Sequence, residues 1–274
     1  MHGKASLAAA LAVLVASGTF AATPPNYLTP SQYDPAQLLP PPPLDDSIAA
    51  KSELAELKSI ENRRSAAQLA SAKSDDKTEN VSIFAKIMGP GFDFKALPAT
   101  EKMFVEIRRE EQTAAAAAKD FFKRNRPWIV DPSMTSCSKQ DAPQSSYPSG
   151  HATMGYSMGV VLASLVPEKA QAILARADEY AENRLVCGMH FRRDIEAGQT
   201  LGTAIAVQLM QNAVFKVDYD AAAMDAHGPS DHALIGASDE GPNSPKRGLR
   251  RIARTPGAHK GRRGRPARRG CLRQ

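Results

Sequence analysis

The sequence predicts an all-α, single-domain helical bundle. Three observations carry the prediction. Almost no segment alternates apolar and polar residues with period two, long stretches up to residue 217 have helix-forming composition with few breakers, and a Ser, Thr or Pro stands where most of them begin. Both ends look non-globular, which leaves roughly 190 residues for a core, the size of one domain. No internal repeat is visible.

Residues 1–22, MHGKASLAAALAVLVASGTFAA, combine a basic Lys4, an apolar stretch through Val15 and small residues at Thr19, Ala21 and Ala22. That pattern is expected to be a secretory signal cleaved near Ala21 or Ala22, and its apolar stretch is shorter than the about 20 residues of a spanning helix. The expected location is periplasmic or secreted. No later segment is long and apolar enough to cross a bilayer, so no membrane partner is expected. Residues 23–46 are proline-rich and end in LLPPPPLDD; they are expected to run extended over the surface rather than to supply a core element.

Ser47 is a plausible N-cap for a helix from Ile48 to about Ala72. Asn80 to Met88 reads as a short helix closed by Gly89, Pro90 and Gly91. A second long helix is expected with Thr100 as N-cap, running through Asn125 to the point where Pro127 disfavours helical geometry at Arg126. A loop from Val130 to Pro148 follows. Helices are then expected over Ser149–Leu165, Pro167–Arg184 and His190–Phe215, which puts the folded domain at residues 47–217. Residues 218–274 turn polar and then, from Lys246, into an Arg/Gly/Pro/Ala tract, and are expected to be disordered.

The formal charge of +6 is dominated by that tract, since twelve of the 35 basic residues lie between Lys246 and Arg273. With residues 246–273 and Lys4 set aside, 22 basic residues face 29 acidic ones, a net of −7. Any positive patch in the body must therefore be local. The tail lacks aromatic residues interleaved with its arginines, so it is read as solvated rather than as a nucleic-acid binder. Cys137 and Cys187 are candidates for a disulfide closing a loop of about 50 residues, worth roughly 4 kcal/mol in the chain-entropy model. Cys271 is left over. Too few Cys and His cluster at ligand spacing to propose a metal site, and no cofactor is expected.

Three segments place polar residues where a helical core wants apolar ones. In KDFFKRNRP, Lys119 and Arg126 lie seven residues apart, so a continuous helix projects both cations from one face. Read alone, they form a solvated basic face with Lys123 and Arg124. In YPSGH, Ser149 and Gly150 precede a helix whose free N–H groups and partial positive charge suit an anion, with His151 on the first turn. In NRLVCGMHFRRD, His190 and Asp194 stand at i and i+4, so a helix brings the carboxylate to one imidazole nitrogen and leaves the other free to attack. Arg184 adds a planar bidentate donor for phosphate.

Together these segments resemble the bacterial class A nonspecific acid phosphatases, within the type 2 phosphatidic acid phosphatase and vanadium haloperoxidase superfamily. That superfamily is marked by K-x6-R-P, P-S-G-H and S-R-x5-H-x3-D. Here the matches are Lys119, Arg126 and Pro127, then Pro148 to His151, then Arg184, His190 and Asp194. The LLPPPP and CGMH segments add to the likeness, which covers roughly residues 26–217. Asn183 stands where the superfamily has Ser, and it can still donate a hydrogen bond. The basic tail has no counterpart.

The resemblance implies a metal-independent acid phosphatase of broad specificity for small phosphate monoesters such as nucleotides and sugar or aryl phosphates. It implies His190 as nucleophile, His151 as general acid and base, and Asp194 as its partner. Lys119, Arg126, Ser149, Gly150 and Arg184 are implied to bind phosphate. Trp128 is read as core, with stacking on a leaving group as the alternative. Exposed bundle faces suggest a homo-oligomer. Rival readings are a vanadium-dependent haloperoxidase, which holds vanadate in the same pocket, and a secreted non-catalytic anion-binding protein.

Overall fold

A computed structural model describes residues 27–90 and 92–235; the expected signal at 1–22 and the tail at 236–274, Cys271 included, lie outside the described residues. No strand occurs among the described residues, and no helix there is long and apolar enough to cross a membrane.

The proline-rich region departs from expectation. It holds a 3-10 turn at Pro30–Tyr33 and a one-turn helix α1, Pro35–Leu38, started by the Asp34 carboxylate, which accepts from the Ala36 N–H at 3.0 Å. Tyr27, Leu28, Tyr33 and Leu39 are buried in the main core, so this segment contributes to the core as well as crossing the surface. The prolines fix the backbone, but the aromatic and leucine side chains between them still need burial.

The helix expected over residues 48–72 is two helices. α2, Ile48–Arg63, starts at Ser47, and α3, Ala66–Asp76, starts at Ser65; Arg64 between them is extended. The Ser65 hydroxyl accepts from the Gln68 N–H while the Gln68 side chain accepts from the Ser65 N–H, a capping box that makes a fresh start more stable than continuation. The break turns the C-terminal end of α3 toward the later helices, and α3 packs on the helix Ala170–Val186. The expected element at Asn80–Met88 is a 3-10 turn, Val81–Phe84, leading into α4, Ala85–Met88.

α5, Pro98–Phe122, begins two residues before the expected cap. Its first N–H groups are capped from far away: the Asp225 carboxylate accepts from Ala99 N at 2.7 Å, and Thr100 is buried with its hydroxyl donating to Ala222 O. α5 also ends early, because Lys123 adopts the left-handed conformation with φ 49°. A one-turn helix α6, Pro127–Val130, follows.

α7, Gly150–Leu165, opens behind Ser149 and is buried on nearly every face. A 3-10 turn at Pro167–Lys169 leads into α8, Ala170–Val186, and then α9, Arg192–Gln211. His190 was expected inside that last helix, but it precedes it in a bend after Gly188. α7 makes its largest contact with α9 and its next with α8. Close approach explains the first: a Cβ on Gly202 of α9 would sit 2.3 Å from Thr153 O of α7.

α10, Ala213–Ile235, corrects the expectation of disorder from residue 218. Asn212 caps it, accepting from the N–H groups of Val214 and Phe215, and Phe215, Ala222 and Ala223 bury against the core. Its buried face is mostly alanine, whose small apolar contribution left a weak periodic signal.

Candidate active site

The site forms where the N-terminus of α7, the C-terminal ends of α3, α5 and α8, and the bend before α9 converge. Lys119 lies on the last turn of α5, but Arg126 is off the helix, which corrects the expectation of a shared helical face. The left-handed Lys123 turns the chain back, and the Arg126 side chain returns, 2% exposed, to the same cavity. Its guanidinium donates to Met189 O and His190 Nε2, each at 3.0 Å, and to Ser145 Oγ, and pairs with Asp141 at 2.9 Å. Trp128 is buried under Arg126, in a cluster with Ala72, Cys187 and Met189, which is the core placement.

At the start of α7, Gly150 lines the cavity, and a Cβ there would lie 3.4 Å from Lys119 Nζ. Ser149 does not line it. Its hydroxyl caps Ala152 N at 3.3 Å, its N–H donates to Asp194 O at 2.9 Å, and it is fully buried, so the structure gives its hydroxyl a capping position rather than one on the cavity wall. His151 lines the cavity, stacks on Tyr180 with centroids 5.5 Å apart, and donates from Nε2 to Asp76 O at 3.3 Å.

His190 sits between two groups that fix its proton. Nδ1 lies 2.7 Å from the Ser146 carbonyl, which can only accept, and Nε2 lies 3.0 Å from the Arg126 guanidinium, which can only donate. The ring is therefore neutral, protonated on Nδ1, with its lone pair on Nε2. Asp194 was expected to bond the ring from a shared helix; instead it is the third residue of α9, and its carboxylate stands 3.5 Å from Nδ1. Its stronger bonds go to the Phe191 N–H at 2.8 Å, the Ser146 hydroxyl at 2.5 Å and Arg124 at 2.6 Å.

Arg124 is the residue the sequence hid most completely. Read as part of a solvated face, it is 4% exposed, bridges Asp194 and Glu53 at 2.6 Å each, and lies over the Phe191 ring at 4.4 Å. The pair Asp75–Asp76 at the end of α3 is a second omission. Asp76 pairs with Arg184 at 2.6 Å, and Asp75 accepts from Asn183 at 2.8 Å while pairing with Arg176. Asn183 thus serves as a buried donor that anchors α3 to α8. Cys137 and Cys187 are joined in a disulfide.

The cavity holds about 260 Å³ and is lined by Lys119, Arg126, Gly150, His151, Arg184 and His190, among others. A model of the PAP2 superfamily matches residues 111–218, which contain all of these. An acid phosphatase of Zymomonas mobilis is 30% identical over 212 residues, covering 72% of this chain and 80% of that protein. The chain belongs to the PAP2 superfamily. Further relatives of this PAP2 protein are a non-specific acid phosphatase of Salmonella typhi, 30% identical over 75% of this chain and 86% of that one, and one of Providencia stuartii, 28% identical over 74% and 89%. A solved bacterial vanadium-dependent iodoperoxidase aligns with 65% of the chain at 24% identity and a TM-score of 0.45; the aligned part is about half, 53%, of that structure.

Electrostatically, the PAP2 site concentrates cations in a body that is acidic overall. Burial, then Arg126, lowers the Lys119 ammonium to about 8. Burial, then Arg184, holds the His151 imidazole well below its usual range, and burial, then Arg126, does the same to His190. Burial pushes the Asp194 carboxyl up to about 6, against the opposing pull of Arg124 and its hydrogen bonds. All four are held toward their uncharged forms, and an arriving anion relieves that for the cations. Glu111, unremarked in the sequence, also lines the cavity; burial raises its carboxyl to about 8, and it pairs with Arg108. Among the described residues no His, Cys, Asp and Glu group could hold a metal ion.

Proposed function

We propose that this PAP2 protein is an exported acid phosphatase that hydrolyses phosphate monoesters through a phosphohistidine on His190. The observation that carries the reading is the proton placement on His190, an obligate acceptor at Nδ1 and an obligate donor at Nε2, with the lone pair at the edge of a cation-lined cavity. An entering phosphate dianion competes for Arg126 and frees that lone pair. The acid phosphatase relatives support the same chemistry.

In the proposed reaction Lys119, Arg126, Arg184 and the Gly150 N–H surround the non-bridging oxygens, so that side chains carry the charge stabilisation. The Nε2 lone pair forms the N–P bond as the bond to the leaving oxygen breaks, and His151 gives its proton to that oxygen. The imidazolium that develops is stabilised by Asp194. Water then attacks phosphorus, its proton goes to His151, and the N–P bond breaks to release inorganic phosphate. His151 must start protonated although its surroundings depress it, so activity is expected to peak below neutral pH. The Cys137–Cys187 disulfide supports an oxidising compartment, and cell fractionation checks it.

The test is hydrolysis of p-nitrophenyl phosphate from pH 4 to 9 with excess chelator. His190→Ala is expected to abolish turnover, while His151→Ala keeps phosphoenzyme formation on substrates with good leaving groups. Activity in both variants would overturn the assignments. No hydrolysis at any pH, with halide oxidation when vanadate is added, would replace the reading by the haloperoxidase; binding of phosphate alone would replace it by the silent binder.

A further inference from the structure

Beside the phosphate cavity lies a larger cleft of about 450 Å³, walled by Val81, Phe92, Phe94, Phe104, Val105 and Met158. Its aromatic wall is a packed ladder: Phe92 meets Phe94 edge to face at 5.0 Å, and Phe94 meets Phe104 at 6.0 Å. Arg108 lines both this cleft and the phosphate cavity.

The proton donor decides on which side of the cavity a leaving group must stand. A monoester's leaving oxygen must face His151, so its substituent leaves the cavity past whatever stands next to His151. Glu79 stands there, with its carboxylate 3.7 Å from His151 Nε2, and Arg108 pairs with that carboxylate and donates to the Glu79 carbonyl at 3.1 Å. The chain then runs directly from Glu79 through Asn80 into Val81 on the cleft wall.

We propose that this cleft receives the leaving group, and that the preferred substrates are phosphate monoesters of apolar alcohols, with Arg108 forming the partition between the phosphate and the apolar end. The proposal rests on the phosphatase reading above. Asp93, Lys95, Glu101 and Arg108 also border the cleft, two of each sign, but most of its exposed lining is apolar, so an alkyl or aryl leaving group removes apolar surface from water on both sides.

The test is kcat/KM for n-alkyl phosphates from ethyl to octyl, with glycerol phosphate as the small polar reference. The expected result is a rise of up to about fourfold per added methylene until the cleft is filled. Two variants at exposed cleft positions remove the effect without touching the phosphate cavity: Ala85→Trp fills the cleft and Val105→Asn makes its wall polar. Each is expected to flatten the chain-length dependence while leaving glycerol phosphate turnover and inhibition by inorganic phosphate unchanged. A flat series in the unaltered protein, or a steep series surviving in both variants, overturns the cleft assignment alone. Failure to hydrolyse any of the esters, glycerol phosphate included, overturns the phosphatase reading and this proposal with it.

Discussion

Replacing Asp194 by Asn isolates the charge on the nucleophile's partner from the positioning of the ring. The carboxylate lies 3.5 Å from His190 Nδ1, while the ring is held by the Ser146 carbonyl at 2.7 Å, a backbone contact that the substitution leaves in place. At an effective dielectric constant of about 20, a unit charge at that separation stabilises the imidazolium by about 4 to 5 kcal/mol, or roughly three orders of magnitude in rate. Arg124 shares the carboxylate at 2.6 Å, so the lower end of that range is expected. The asparagine oxygen can still accept from the Phe191 N–H, which keeps the start of α9 formed. The assay is burst-phase and steady-state hydrolysis of p-nitrophenyl phosphate at pH 7, above the value of about 6 to which burial raises Asp194, so that the native carboxylate is ionised; inhibition by inorganic phosphate is the binding control and a thermal melt the folding control. The expected outcome is kcat lower by about a thousandfold with phosphate inhibition changed little. A folded variant that loses less than tenfold would show that the carbonyl, not the carboxylate, carries the imidazolium, and would refute the argument.

Three further outcomes follow from the same structure. Lys119, lowered to about 8 by burial, is charged below that pH and neutral above it, so kcat/KM is expected to fall as pH rises through about 8; Lys119→Met removes this alkaline limb along with most of the phosphate affinity, as a pH–rate profile would show. Arg124→Met leaves Glu53 and Asp194 buried without their shared cation and is expected to cost about 3 to 5 kcal/mol in denaturant unfolding. Unpaired buried carboxyls bind a proton more tightly folded than unfolded, so part of that loss is regained as pH falls toward 4, and a deficit that grows on acidification would contradict it. Gly202→Ala forces a methyl group to 2.3 Å from Thr153 O and is expected to lower stability by about 1 to 3 kcal/mol by prising α9 from α7; an unchanged melting temperature would rule this out.

What the sequence determined by itself was whatever depends on near neighbours along the chain. Helical composition with no period-two alternation announced an all-helical fold, and Ser149 ahead of an apolar run announced the cap of α7. The motif residues Lys119, Arg126, Gly150, His151, Arg184 and His190 were all legible, and all line one cavity. The break at Arg64 was missed, because helix-forming composition on both sides masked the one local signal for it, the Ser65–Gln68 capping box.

Tertiary structure decided how those residues are held. Arg124 and Asp194 meet across 70 residues, Ser146 and His190 across 44, and Asp76 and Arg184 across 108, separations at which no spacing rule operates. The i, i+4 relation of His190 and Asp194 suggested a helix-borne pair, yet the bend after Gly188 takes His190 off the helix and gives its Nδ1 to a backbone carbonyl. Whether an arginine is a solvated charge or a buried bridge depends on which carboxylates the fold delivers to it. Burial then shifts the protonation of Lys119, His151, His190 and Asp194, because desolvation acts on a side chain only once the rest of the chain has closed around it.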